Sequence, residues 1–288
     1  QILFSDTAKR NDIYNTDIAA YYENLECIEA MHHEYVVITP DYMVYSADFS
    51  TLIAQHIDSG ADITLLYHSV DNGKEAYLNC NILNLNKQRG VLSIEPNHGN
   101  AKNRNIFMDT YIMKKDLLVD LIKKARATSS AFTLTDIINE LHNDLDVRGI
   151  SHRGFFASIT DFQSYYDANM DLINIKTAQT LFDSEWPIYT RTNDSCPTHY
   201  YGTAEIRNSV VSNGCQVEGT IENSILGRGC IIHKGAVIKN SVVLAGAEIG
   251  EGVHVENQVV DKLAKILHVK EVVSDPALPG YIKRGDII

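Results

Sequence analysis

Apolar and polar positions along the chain change their rhythm partway, and the change divides the sequence in two. In the first half, "EYVVITPDYMVY" carries the continuous apolar run Val36-Val37-Ile38, which stops at Pro40-Asp41. A continuous run of this length predicts a buried strand. Asp48 to Ser59 places Phe49, Leu52, Ile53, His56 and Ile57 at helical spacing, and Gly60 supplies a C-terminal stop. Asp62 to Tyr67, Ala76 to Leu85, Val91 to Ile94 and Ile106 to Met113 predict further strands, with turn signals "DNG", "NKQRG" and "NHGNAKN" among them. Lys115 to Ala127 predicts a helix whose basic residues come late, where the helix dipole favours them. "TLTD" (133–136) and "TDFQ" (160–163) read as N-terminal capping boxes, the second opening a helix to about Ile173. Strands alternating with helices predict a three-layer α/β domain on a mainly parallel sheet.

The second half has a different period. Ile225, Ile231, Val237, Val243, Ile249 and Val255 recur every six positions, and Gly229, Gly235, Ser241 and Ala247 sit two places before the four middle members. Val211 and Val217 are also six apart. Neither a helix nor a flat strand has this period. A left-handed parallel β-helix of hexapeptide repeats does, with one inward aliphatic per side and a small residue near each corner. The expected division is an α/β domain over 1–185 and a β-helix with a tail over 186–288. A stack of this kind leaves apolar ends that need a cap or a partner.

Composition narrows the function. Hydrophobic residues make up 44% of the 288, enough for a substantial core, and the net charge is −12. Such a balance disfavours DNA, RNA or an anionic membrane as partner, and an anionic ligand needs a local basic site. No apolar run has the length of a membrane span, and the first residues lack a signal-peptide pattern. Cys27, Cys80, Cys196, Cys215 and Cys230 are scattered with no C-x-x-C pair, which favours free thiols in a reducing cytoplasm. The chain starts at Gln1 rather than Met, as a fragment would.

Few residues offer chemistry. His32-His33 diverge on any regular element and read as a turn. His233 and His254 lie in the hexad region, either as plain surface or as the histidine of an acyltransferase built on such a β-helix. G-x-S-x-G, H-E-x-x-H, P-loop and G-x-G-x-x-G strings are absent. Asp41 stands at the carboxyl end of a strand, where α/β folds gather ligands, and a carboxylate there suits a divalent cation bridging phosphates. It is equally a turn residue after proline.

Several strings resemble bacterial sugar-1-phosphate nucleotidylyltransferases, above all the ADP-glucose pyrophosphorylase (glucose-1-phosphate adenylyltransferase) family. "YNTDIAAYYENLECI" is similar to that family's G-T-A-D-A-I-Y-Q-N helix. "EYVVITPDYMVYSADF" is similar to L-I-L-S-G-D-H-I-Y-x-M-D-Y, and "SYYDANMDLI" to S-Y-W-E-A-N-M-D-L-L. "WPIYT" followed by "NSVVSNGCQVEGTIENSIL" resembles the start of its β-helix. The resemblance implies a nucleotidyltransferase-like, Rossmann-like α/β domain joined to the β-helix. It also implies synthesis of ADP-glucose and pyrophosphate from ATP and glucose-1-phosphate for glycogen, with Mg²⁺ held by two aspartates.

The resemblance also implies a degraded site. Its first metal aspartate falls on Asp41, preceded by Pro40 instead of glycine. Its second falls on Ser158 in "GFFASITDF", with Asp161 three places on and better used in the first turn of a helix. The lysine of E-K-P, which meets the sugar phosphate, is replaced by Glu95. The sugar-contacting S-M-G triplet becomes Phe107-Met108-Asp109, and the glycine of G-T-A-D becomes Asn15. The place of the glycine-rich nucleotide loop precedes residue 1. Loss of one metal carboxylate alone costs on the order of a thousandfold in rate. The expectation is therefore a cytoplasmic, catalytically crippled relative like the regulatory GlgD-type subunits. It would pair in a hetero-oligomer with a catalytic paralogue, respond to a nucleotide or sugar-phosphate effector, and need Mg²⁺ only for residual activity. An active nucleotidylyltransferase with a shifted site, and an acyltransferase or scaffold worked by the β-helix, stay open.

Overall fold

The computed structural model describes residues 16–128, 131–182, 186–190 and 194–288. The chain forms two compact units. One holds the chain up to Met43 together with Ala47–Arg153, the other Val44–Ser46 with Gly154–Ile288. The boundary expected at 185/186 falls inside the second unit, whose longer stretch begins at Gly154.

The first unit opens with helices α1 (Asp17–Glu23) and α2 (Leu25–Glu29), the former capped by the Thr16 hydroxyl, which accepts from the Ala19 N–H. Strand β1 (Tyr35–Ile38) follows, then β2 (Met43–Tyr45). Helix α3 (Phe49–Ser59) is capped by Asp48 and ends on Gly60 at φ 67°, as its sequence predicts. Strands β3 (Ile63–Val70), β4 (Asn81–Leu85), β5 (Val91–Pro96) and β6 (Arg104–Lys114) then precede α4 (Lys115–Ala127), α5 (Leu134–Glu140) and β7 (Val147–Ser151). The strand expected from Ala76 starts only at Asn81, because Tyr77 turns at φ 61°. The capping box of α5 is present, with Thr133 and Asp136 bonding each other's backbone.

The sheet runs β5-β4-β6-β3-β7, with β1 also on β6. The expectation of a mainly parallel sheet needs correction: the described sheet is mixed, and only β3 and β7 pair in parallel. β6 is antiparallel to β1, β3 and β4, and β4 to β5. The short connection between β4 and β5 explains that one pair, since a tight turn joins antiparallel neighbours; β6 pairs only with strands it does not directly follow. Residues of α1, α2, α4 and α5 pack on one face of this sheet around Phe107, Tyr111, Ile122 and Ile137. β1, expected to be buried, is half-buried along its whole length.

In the second unit, β8 (Phe156–Ser158) pairs with β2 and leads into α6 (Phe162–Asp171) and α7 (Ile175–Leu181). The box at 160–163 forms one place later, between Asp161 and Ser164. From His199 the chain winds as a parallel β-helix with three five-stranded sheets. Residues pair with ones 15 or 17 places on, as Gln216 with Ile231 and Val237 with His254, except in the last coil, where Gln258 pairs with Gly280. A side of five residues therefore interrupts the sides of six. The unbroken sixfold series hides this, because its first members sit beside a second apolar residue. Leu226, Ile232 and Ile238 point inward, not Ile225, Ile231 and Val237; from Val243 on, the series and the core coincide. One corner is a ladder of asparagines in the left-handed region, Asn208, Asn223, Asn240 and Asn257, where short polar side chains are tolerated. Asn208 donates to Asn223 and Asn223 to Asn240, at 2.9 and 2.7 Å. Helix α6 lies against one side: Tyr166 packs on Val242 and Val259 and donates to the Asn240 carbonyl at 2.6 Å.

Candidate functional site

At the carboxyl end of β1 the turn Thr39-Pro40-Asp41 borders a cleft of about 360 Å³. α1 contributes Asp17 and Tyr21, β6 contributes Asp109 and Tyr111, and α5 adds Thr135. The cleft thus brings Asp41 and Asp109 together, two of the positions marked in the sequence. Three carboxylates and three phenols line it, with no lysine or arginine among the described lining residues.

The interior of the cleft is satisfied by its own side chains. The Tyr42 hydroxyl donates to Asp109 Oδ2. The Tyr111 and Thr135 hydroxyls bond each other at 2.9 Å. Burial pushes the Asp109 carboxyl above its ordinary value; the Tyr42 bond works against this, and the Asp17 charge adds to it. Burial also raises Asp17. Tyr21 is pushed up to about 12 by burial first, then by Asp17 and Asp109. All three directions say that negative charge is poorly tolerated here. Asp109 lies at φ 41°, a conformation that glycine adopts freely. Its place in the triplet matches the resembled glycine, so a carboxylate now projects from a position where the resemblance implies hydrogen.

The other marked positions lie elsewhere. Phe107 is fully buried in the core, edge-on to Tyr111 at 5.1 Å. Glu95 is exposed on β5, outside the lining of this cleft, and accepts from the Ser93 hydroxyl at 2.6 Å. Ser158 is buried on β8 in the second unit. Asp161 is the cap of α6, accepting from the Ser164 N–H at 2.7 Å. Asn15 lies outside the described residues. His32 and His33 are exposed ahead of β1. His233 is 3.0 Å from Glu248, which also meets Lys265 at 2.8 Å; these two partners hold Glu248 below the usual carboxylate range, Lys265 most. His254 meets Glu256 at 3.2 Å. None of the five cysteines is in a disulfide. Sequence reasoning missed Asp17, Tyr21, Tyr42 and Tyr111; Asp17 and Tyr21 lie in one matched segment and Tyr42 in another, beside Asp41, whereas Tyr111 carried no signal.

The donor beside Asp41 is not the one the resemblance implies: Ser158 is absent from the lining of this cleft, and Asp109 is engaged by Tyr42. No group of three or more His, Cys, Asp or Glu among the described residues is placed to hold a metal. Nor is any helix among them long and apolar enough to cross a membrane.

The fold defines the class, a nucleotidyltransferase-like α/β unit joined to a hexapeptide β-helix. The family described as "GlmU-like, C-terminal hexapeptide" matches residues 198–278. Over 235 residues the chain is 29% identical to a glucose-1-phosphate adenylyltransferase of Clostridium perfringens strain 13, covering 80% of this chain and 59% of that protein. It is 30% identical over 230 residues to the Geobacillus stearothermophilus protein of the same name, covering 78% and 59%. The Clostridioides difficile relative is 26% identical over 234 residues. The chain spans about three-fifths of the length of these curated relatives.

Proposed function

We propose that this chain is a glucose-1-phosphate adenylyltransferase-like protein of glycogen synthesis whose own site is degraded and which stabilises or tunes a catalytic paralogue. The observation that carries the reading is the Asp41 cleft. Its carboxylates face one another with no lysine or arginine among the described lining residues, and Tyr42 and Asp109 bond across it at the position resembling the sugar-contacting triplet. A triphosphate and a sugar phosphate are polyanions, and catalysis of their exchange rests on positioning and on charge neutralisation. Here the neutralising groups are missing: Ser158 stands for the second metal carboxylate and Glu95 for the phosphate lysine. With those groups gone, Mg²⁺-dependent activity of the chain alone is weak or nil.

The preserved scaffold fits a cytoplasmic hetero-oligomer, with the β-helix and α/β unit as packing surfaces and a nucleotide or sugar phosphate as effector. The test is pyrophosphate release from ATP and glucose-1-phosphate with Mg²⁺, by the purified chain alone and mixed with its catalytic paralogue. Turnover alone at the paralogue's rate overturns the degraded-site half. Unchanged paralogue kinetics with separate elution on size exclusion overturns the regulatory half.

A further inference from the structure

The sheet of the first unit is forked. β4 pairs with β5 from Asn81↔Pro96 to Leu85↔Val91, but with β6 only at Ile82↔Ile106. Continued antiparallel pairing would set Leu83 opposite Asn105 and Leu85 opposite Asn103, and that ladder is not made. The strands part instead around a cavity of about 750 Å³, within the range of small-molecule sites and sharing no lining residue with the Asp41 cleft. Its polar wall is Asn72, Asn84, Asn103, Asn105, Arg104 and His68, above apolar side chains of β4.

The polar atoms have assigned directions. Asn84 Nδ2 donates to Ser93 Oγ at 2.8 Å, and Ser93 donates to Glu95 at 2.6 Å. The Asn84 amide therefore keeps its oxygen as an acceptor. Asn105 Oδ1 accepts from Ser69 Oγ at 2.9 Å, so that amide keeps its N–H donors. Arg104 lines the cavity, and its Nε is buried without a hydrogen-bond partner, an isolation that costs free energy. Charge is nearly balanced: the lining holds one arginine and one aspartate, Asp71, which lies 3.9 Å from Lys102. A phosphate needs a clear excess of positive charge. A wall that both donates and accepts, with little net charge and an apolar floor, complements hydroxyl groups, which do both.

We propose that the fork between β4 and β6 binds an uncharged saccharide, through the amides of Asn84, Asn103 and Asn105 and the guanidinium of Arg104. This goes beyond the reading of the Asp41 cleft and does not depend on it. Glu95 then has a structural use as the anchor of the Ser93–Asn84 chain. The test is calorimetric titration of the full chain with glucose, maltose and maltotriose, and separately with inorganic phosphate. Saccharide binding is expected, undisturbed by phosphate and unchanged in Asp58→Asn on the exposed flank of α3. Asn84→Leu should weaken it roughly tenfold or more. Asn103→Leu, at an exposed position that does not endanger folding, should act in the same direction. Absence of saccharide binding, competition by phosphate, or full affinity in both asparagine variants overturns the proposal.

Discussion

Ile231 and Ile232 are neighbours of identical chemistry, and replacing each by alanine separates register from composition. Ile232 is 1% exposed and lies between Val217 and Ile249 on the axis of the β-helix, both fully buried. Ile231 pairs with Gln216 and Glu248 and is only half-buried. Isoleucine exceeds alanine by three carbons, worth about 2.4 kcal/mol at about 0.8 each when fully buried. The void left on the axis adds to this, giving about 3–4 kcal/mol for Ile232→Ala. For the half-buried Ile231 the same carbons are worth about 1 kcal/mol. The lost strand preference is common to both variants and cancels in their difference. A gap of about 2 kcal/mol is roughly thirtyfold in an equilibrium constant. Native-state hydrogen exchange at the amides of the same coil reads that local opening, and it avoids assuming that a chain of two units unfolds in one step. Equal effects, or a larger effect at Ile231, would refute the placement of the five-residue side and return the core to the strict sixfold series.

Acid should act in two directions. His56 is buried on α3 beside Thr64 at 2.8 Å, and burial holds its imidazole below the ordinary 6.5, so the unfolded chain takes up its proton first. This contribution to stability is lost as pH falls below about 6.5, and melting curves of His56→Gln should show a smaller loss there. Asp109 is shifted up, so its contribution is present at low pH and is lost as pH rises above about 3.8. Asp109→Asn suits the left-handed backbone and should melt higher than the parent at neutral pH. Tyr42→Phe removes the bond that favours the charged carboxyl, so carbon NMR of Asp109 should report a higher pKa; an unchanged value contradicts the bond. Asn223→Ala should lose about 1–2 kcal/mol from backbone strain and the broken ladder, and Asn223→Gly should recover the backbone part in the same melting assay.

Local signals in the sequence were enough for α3, α4 and the start of α5, but not for α7, which they did not mark. Asp48 and Gly60 bound α3, and Thr133 with Asp136 caps α5, because a cap needs only neighbours three or four residues away. The β-helix was legible for a related reason: its repeat is a local unit stacked on itself. Pairing of distant strands was not. Nothing near β6 tells whether its partners run with it or against it, and the alternation of strands and helices pointed to the wrong direction. The inward set of the β-helix was one residue off for three strands, since adjacent aliphatics such as Val237 and Ile238 look alike until their exposure is known. The site divides the same way. Asp41 was marked by its place after an apolar run. Its surroundings, the Asp17, Tyr21 and Asp109 side chains that make the cleft anionic and the Tyr42 bond that fills it, come from α1 and from a strand 67 residues further on. Sequence by itself determined several of the helices, where the repeat lies and which carboxylate to examine. Tertiary structure alone decided strand direction, the inward face and the charge balance around Asp41, because each depends on groups that only folding brings within reach of one another.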